Sequence, residues 1–120
     1  MVQRRILVAD DNPDARESLA ALLALSGHEV FRAQDGSDAL QSAERYRPHI
    51  ALLDIGMPHA NGYEVARRIR GEPWGQDMVL IALTGWGQES DRRRSHEAGF
   101  DNHLTKPVDP DVLDELLARV

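Results

Sequence analysis

The 120-residue sequence contains no cysteine, and that absence alone excludes several chemistries. A disulfide framework, a zinc–thiolate site and an iron–sulfur cluster all require thiols. The same absence fits a reducing compartment, and the cytoplasm is the expected location. Long apolar runs are also missing. No uninterrupted run exceeds seven residues, against the roughly 20 that span a bilayer. Residues 1–5, MVQRR, lead straight into a strand-like run, so neither a signal peptide nor membrane insertion by this domain is expected. Basic excess is lacking as well. Fourteen lysines and arginines face 20 aspartates and glutamates, and the net charge of −6 argues against broad electrostatic binding to nucleic acid. Repeats, linkers and low-complexity stretches are absent. What remains is an acidic chain, 42% apolar, whose length suits a single domain over residues 1–120 with its own core.

Two hydrophobic periods alternate along the chain. Ile6 to Ala9 is a continuous apolar run ended by Asp10, as expected of a strand buried on both faces. Asn12-Pro13 then supplies a cap and a first-turn proline for a helix whose stripe is Ala15, Leu19, Leu22 and Leu23, stopping at Gly27. Glu29 to Ala33 is a weaker, edge-like strand. Ala39, Leu40 and Ala43 mark a second helix that ends before Pro48. Ile50 to Asp54 is a third strand, and Asn61-Gly62 a turn before a helix carrying Val65, Ala66 and Ile69. Met78 to Thr84 reads as the fourth strand, residues 88–98 as a polar helix ending at Gly99, and His103 to Thr105 as a fifth strand. Asp109-Pro110 caps a last helix with a stripe of Val112, Leu113, Leu116, Leu117 and Val120. Five strands alternating with five helices predict an α/β fold, a doubly wound parallel sheet.

In such a sheet the ligand site lies beyond the carboxyl ends of the strands. Those ends carry Asp10 and Asp11, Asp54, Thr84 and Lys106. Any one of them is what a strand end requires; the combination is chemical. Three clustered carboxylates call for a cation, and Lys106 supplies one positive charge, which leaves the group net negative. An all-oxygen pocket without imidazole or thiolate favours a hard ion, Mg²⁺ or Mn²⁺. Metal, Lys106 and the Thr84 hydroxyl together would receive an anionic phosphoryl-like group, with the Asp54 carboxylate placed as a nucleophile toward phosphorus.

At these residues the chain resembles the receiver domains of two-component response regulators. The resemblance covers the whole chain and rests on an ordered set: Asp10-Asp11, Asp54 within Leu52-Leu53-Asp54-Ile55-Gly56-Met57-Pro58, Asn61-Gly62, Leu83-Thr84-Gly85 and Lys106-Pro107. It implies a flavodoxin-like sheet of order 2-1-3-4-5 with five helices. It implies that Asp54 accepts a phosphoryl group from the phosphohistidine of a sensor histidine kinase or phosphotransfer protein. Asp11, Asp54 and the Gly56 carbonyl would bind Mg²⁺ directly, with Asp10 acting through water. Thr84 and Lys106 would contact the phosphoryl oxygens, and the Lys106-Pro107 bond would be cis. Output would pass through Thr84 to the surface of the fourth helix, fifth strand and fifth helix, toward a partner the sequence does not name.

Three positions individualise this chain within that resemblance. Where the family usually has Phe or Tyr as a rotameric switch, this sequence has His103, a smaller and titratable ring. Gly56 and Trp86 occupy the positions at which relatives differ in phosphoryl lifetime. Glycine offers no side chain to orient water and tryptophan can shield the pocket, so a long-lived phosphorylated form is expected. The stretch from Gly99 to Pro110 is similar to receivers attached to hybrid sensor kinases, and a stand-alone receiver is the alternative context.

Rival readings fit less well. A flavodoxin-like cofactor binder needs a phosphate-cradling loop after the first strand, where this chain has Asp10-Asp11-Asn12-Pro13. An aspartate-nucleophile phosphatase needs a second carboxylate where Gly56 stands, so phosphoryl acceptance without enzymatic turnover is expected. A pseudo-receiver that docks partners without phosphorylation would have no need of Asp54, Thr84 and Lys106 together. Ser95-His96-Glu97 is similar to the segment around a kinase's phosphorylated histidine, and Arg92-Arg93-Arg94 to a basic patch. Both read as a solvated helix face, since Glu89, Asp91 and Glu97 intersperse the charge. His28, His49 and His59 are scattered and suggest no site.

Overall fold

The computed structural model describes residues 3–85 and 92–120. Its elements run β1 (Arg5–Ala9), α1 (Pro13–Leu25), β2 (Glu29–Ala33), α2 (Gly36–Tyr46), β3 (Ile50–Asp54), α3 (Gly62–Arg70), β4 (Val79–Thr84), α4 (Arg92–Ala98), β5 (Asn102–Thr105) and α5 (Pro110–Arg119). The strands form one parallel sheet in the order β2-β1-β3-β4-β5, the doubly wound order expected from the sequence.

The continuous apolar runs are explained by two-sided burial. Ile6 and Val8 of β1, with Ile50 and Leu52 of β3, face one layer built from Leu19, Leu23, Leu113 and Leu116 of α1 and α5. Leu7 and Ala9, with Ala51 and Leu53, face the opposite layer, where Ala39, Val65, Ile69 and Ala98 come from α2, α3 and α4. All eight of these strand residues are fully buried. Edge strand β2 buries just one residue fully, Ala33, and its sequence mixes polar with apolar residues accordingly.

Short polar side chains start the helices on the side where the strands end. Asn12 Oδ1 accepts from the amides of Asp14 and Ala15 with Pro13 in the first turn, and Asp35, Asn61 and Asp109 cap α2, α3 and α5. Gly62 is required at the start of α3. A Cβ there would lie 2.8 Å from both the Asp54 carbonyl oxygen and Ile55 Cα, so only glycine lets the helix seat against the strand end that carries Asp54.

The differences from expectation are local. Met78 is buried but precedes the ladder, which begins with Val79 opposite Ile50. Asn102 joins β5 through its pairing with Ile81. A single 3-10 turn, Pro73–Gly75, interrupts the α3–β4 connection and was not legible. On α1, Ala20 is buried while Ala15 and Leu22 are half-buried, and Val112 of α5 is 49% exposed rather than part of the core stripe. Of the polar helix expected over residues 88–98, positions 88–91 lie outside the described residues.

Candidate functional site

The sheet brings Asp10, Asp11, Asp54 and Lys106 together at its carboxyl edge. One carboxylate oxygen from each aspartate lies within 4.8 Å of the others. Lys106 Nζ is 2.8 Å from Asp10 Oδ2 and 3.1 Å from Asp54 Oδ2. Asp10 and Asp54 are buried, whereas Asp11 is exposed. The ammonium resists deprotonation: burial pulls its pKa down, but hydrogen bonds to Asp10 and Asp54 and their negative charge outweigh that and raise it. One ammonium against three carboxylates leaves an oxygen-rich pocket short of positive charge. That donor set, without imidazole or thiolate, fits Mg²⁺ or Mn²⁺.

Backbone contacts fix the carboxylates. Asp10 donates its N–H to the Ala33 carbonyl, and its Oδ1 accepts from the Asn12 amide at 3.0 Å. Asp54 Oδ1 accepts from the Gly56 amide at 3.0 Å. Ile55 N–H donates to the Leu83 carbonyl and Lys106 N–H to the Thr84 carbonyl, which ties the three strand ends into one rim. The Lys106–Pro107 peptide is cis.

The other predicted residues are placed with more variety. The Thr84 hydroxyl is buried and donates to the Leu104 carbonyl at 3.4 Å, so it is turned toward β5. Gly56 is exposed, and a Cβ on it would meet Asp54 Oδ1 at 3.7 Å. His103 is half-buried and lines, with His96 and Phe100, a cavity of about 110 Å³ between α4 and β5. Trp86 lies outside the described residues.

A sequence profile of the response regulator receiver domain matches residues 6–118. The chain belongs to the response regulator receiver domain family. Receiver domains are the phosphorylation-switched signalling units of two-component systems. Among curated relatives, the response regulator MprA of Mycobacterium leprae is 40% identical over 116 residues, covering 97% of this chain and 49% of MprA. The receiver therefore spans about half the length of that relative. Among solved structures, the receiver domain of the sensor histidine kinase PA1611 from Pseudomonas aeruginosa PAO1, with magnesium coordinated in its active-site cleft, is 34% identical. It superposes with a TM-score of 0.89 over 98% of this chain and 97% of that one. The chemotaxis response regulator CheY4 of Vibrio cholerae is 26% identical with a TM-score of 0.91, covering 98% of each chain.

Sequence reasoning missed several residues of this receiver. Arg16 Nη1 donates to the Asp10 carbonyl at 3.1 Å, reaching back from the first turns of α1. His28 and His49, given no role above, accept through Nδ1 from the amides of Arg4 and Arg5 and so dock the entry to β1. Arg70 binds the carbonyls of Gly75, Gln76, Met78 and Gly99 and pairs with Asp101 at 2.8 Å. The segment Ser95-His96-Glu97 is split by the helix, with Ser95 buried and His96 and Glu97 exposed. Arg94 lies 4.3 Å above the Tyr63 ring, a packing role within α3 and α4. Among the described residues, no helix is long and apolar enough to cross a membrane.

Proposed function

We propose that this receiver takes its phosphoryl group on Asp54, as one unit over residues 1–120. The carrying observation is that Asp54 presents Oδ2 to Lys106 at 3.1 Å while sharing a pocket with Asp10 and Asp11. The Asp54 oxygen forms the new O–P bond as the P–N bond of a donor phosphohistidine breaks, and the electron pair returns to the imidazole nitrogen. Lys106 holds its positive charge beside the oxygens that gain negative charge. Asp11, Asp54 and the Gly56 carbonyl, with Asp10 behind them, would hold Mg²⁺, or Mn²⁺ in its place. When bound, that ion neutralises charge on the phosphoryl oxygens.

The donor, a sensor histidine kinase or histidine phosphotransfer protein, must approach from the open end of the site. Beside Lys106 lies a mainly apolar groove of about 290 Å³ lined by Ala15, Leu19, Leu22, Pro107 and Val108, the kind of surface a protein donor covers. For output, the Thr84 hydroxyl leaves Leu104 and turns to the phosphoryl group. That movement frees the α4–β5–α5 surface, with His103, to take its second arrangement. Gly56 supplies no carboxylate for turnover, so the domain accepts a phosphoryl group rather than running a hydrolytic cycle. It acts in the cytoplasm without a nucleic-acid target of its own. MprA and PA1611 support both a response regulator and a hybrid-kinase context, and the Gly99–Pro110 stretch favours the latter.

The test is labelling by a small phosphodonor. With Mg²⁺ the parent should gain one phosphoryl group, and chelation or Asp54→Asn should prevent it. Undiminished labelling of Asp54→Asn would overturn the assignment.

A further inference from the structure

We infer that Arg16 is a positioning residue for metal binding, acting on Asp11 through the backbone of Asp10. The inference rests on the reading above that Asp10, Asp11 and Asp54 hold a divalent cation. Asp11 is exposed, so packing does not hold its side chain. Its direction depends on the peptide unit that precedes it, whose oxygen is the Asp10 carbonyl. That unit is a rigid plane, so fixing its oxygen leaves the φ of Asp11 as the remaining backbone freedom that aims the carboxylate. Arg16 Nη1 fixes that oxygen from 3.1 Å.

The guanidinium is itself held. Its side chain is 17% exposed, and Nε lies 3.3 Å from Glu17 Oε2. Glu17 Oε1 in turn accepts from Arg32 Nε at 2.8 Å, on strand β2. A fork that donates to a carbonyl with one arm and a carboxylate with another suits arginine and not lysine. Asp10 is thereby pinned at four atoms: N–H to Ala33, carbonyl to Arg16, Oδ1 to Asn12 and Oδ2 to Lys106.

Charge and geometry make opposite predictions here, which gives the test its sign. A cation near the site repels Mg²⁺, so if charge governed, removing Arg16 would tighten binding. If positioning governs, removal weakens it.

The experiment titrates Mg²⁺ into the unphosphorylated full chain at fixed ionic strength, followed by the amide resonance of Gly56, whose N–H touches Asp54 Oδ1. Arg16→Ala should raise the Mg²⁺ dissociation constant about tenfold, the lower end of what losing an outer-shell partner costs. Arg16→Lys, with one donor able to reach the carbonyl, should fall between Arg16→Ala and the parent. Arg16→Lys also serves if Arg16→Ala does not fold: it keeps the charge, so charge alone predicts unchanged binding, and binding equal to the parent's would overturn the inference. Equal or tighter Mg²⁺ binding by a folded Arg16→Ala overturns the inference alone, even if its melting temperature falls. A parent that binds no Mg²⁺, or an Asp11→Ala variant that binds it as well as the parent, overturns the reading beneath it.

Discussion

Asp10 and Asp54 share one counter-ion: Lys106 Nζ lies 2.8 Å from Asp10 Oδ2 and 3.1 Å from Asp54 Oδ2. Asp10 directly follows β1, Asp54 ends the adjacent strand β3, and the lysine directly follows β5. Three elements distant in sequence are thus held by one ammonium, and the exposed Asp11 is left to face solvent beside them.

The surplus of negative charge predicts a trade between stability and metal binding. Asp11→Ala removes one repelling carboxylate and should raise the melting temperature without Mg²⁺, by roughly 4 °C if about 1 kcal/mol is relieved. The parent should gain stability with millimolar Mg²⁺ and the variant far less, because a ligand of the native state stabilises by mass action. Thermal melts of both proteins with and without Mg²⁺ check this. An equal Mg²⁺ shift in both would place the ion elsewhere.

Gly56 sets up a prediction about lifetime. A Cβ there has room and would stand 3.7 Å from Asp54 Oδ1, so a side chain at this position lies directly beside the carboxylate proposed to carry the phosphoryl group. Gly56→Asn should fold normally and place an amide able to orient the attacking water. Loss of the phosphoryl group should then accelerate about fivefold, a barrier change of about 1 kcal/mol. Decay followed by intact mass in both proteins decides it; unchanged decay would show that water needs no help from this position.

His28 gives the fold a pH dependence unrelated to the phosphoryl site. Its ring is buried and Nδ1 accepts from the Arg4 amide at 3.1 Å, a bond that requires the unprotonated nitrogen. Burial and the Arg4 charge lower its pKa below the usual 6.5, against a smaller opposing pull from Asp114. The unfolded chain therefore binds this proton more readily. The stability His28 contributes is complete above about pH 6.5 and is lost as pH falls below that value. In His28→Asn the amide oxygen replaces Nδ1 as acceptor, so urea midpoints should drop less between pH 7.5 and 5.5 than in the parent. Equal drops would contradict the assignment.

Arg70 should be among the costliest single truncations outside the two core layers. Its guanidinium satisfies the Gly75, Met78 and Gly99 carbonyls and pairs with Asp101, whose Oδ2 also accepts from the Leu80 amide. Arg70→Ala leaves several part-buried acceptors without donors and should cost about 3 kcal/mol in urea unfolding. Arg70→Lys should recover less than half of that, since one ammonium cannot span both sides of the fork. A loss within about 0.5 kcal/mol, as for an ordinary surface residue, would contradict the clamp.

These last two residues show where sequence reading stops. The strand runs were legible because two-sided burial leaves continuous apolar segments such as Ile6 to Ala9 and Ile50 to Leu53. Asp10, Asp11, Asp54 and Lys106 were legible because a parallel sheet collects its strand ends at one edge. Arg70 was not, because its partners are mostly backbone carbonyls, which carry no residue identity, and they come from both the α3–β4 connection and the α4–β5 turn. His28 and His49 precede β2 and β3, and their bonds to the Arg4 and Arg5 amides at the entry to β1 emerge only once those strands are paired. The orientation of Thr84 toward Leu104 is likewise a choice of rotamer, which its position at a strand end does not specify.

Reductive trapping tests most directly whether the phosphoryl group resides on Asp54. An acyl phosphate treated with borohydride is reduced to an alcohol, so phospho-aspartate becomes homoserine at the modified position. After phosphorylation with Mg²⁺, peptide sequencing by mass spectrometry should find homoserine at position 54 and aspartate retained at 10 and 11. Homoserine at position 10 or 11, with residue 54 still aspartate, would contradict the account.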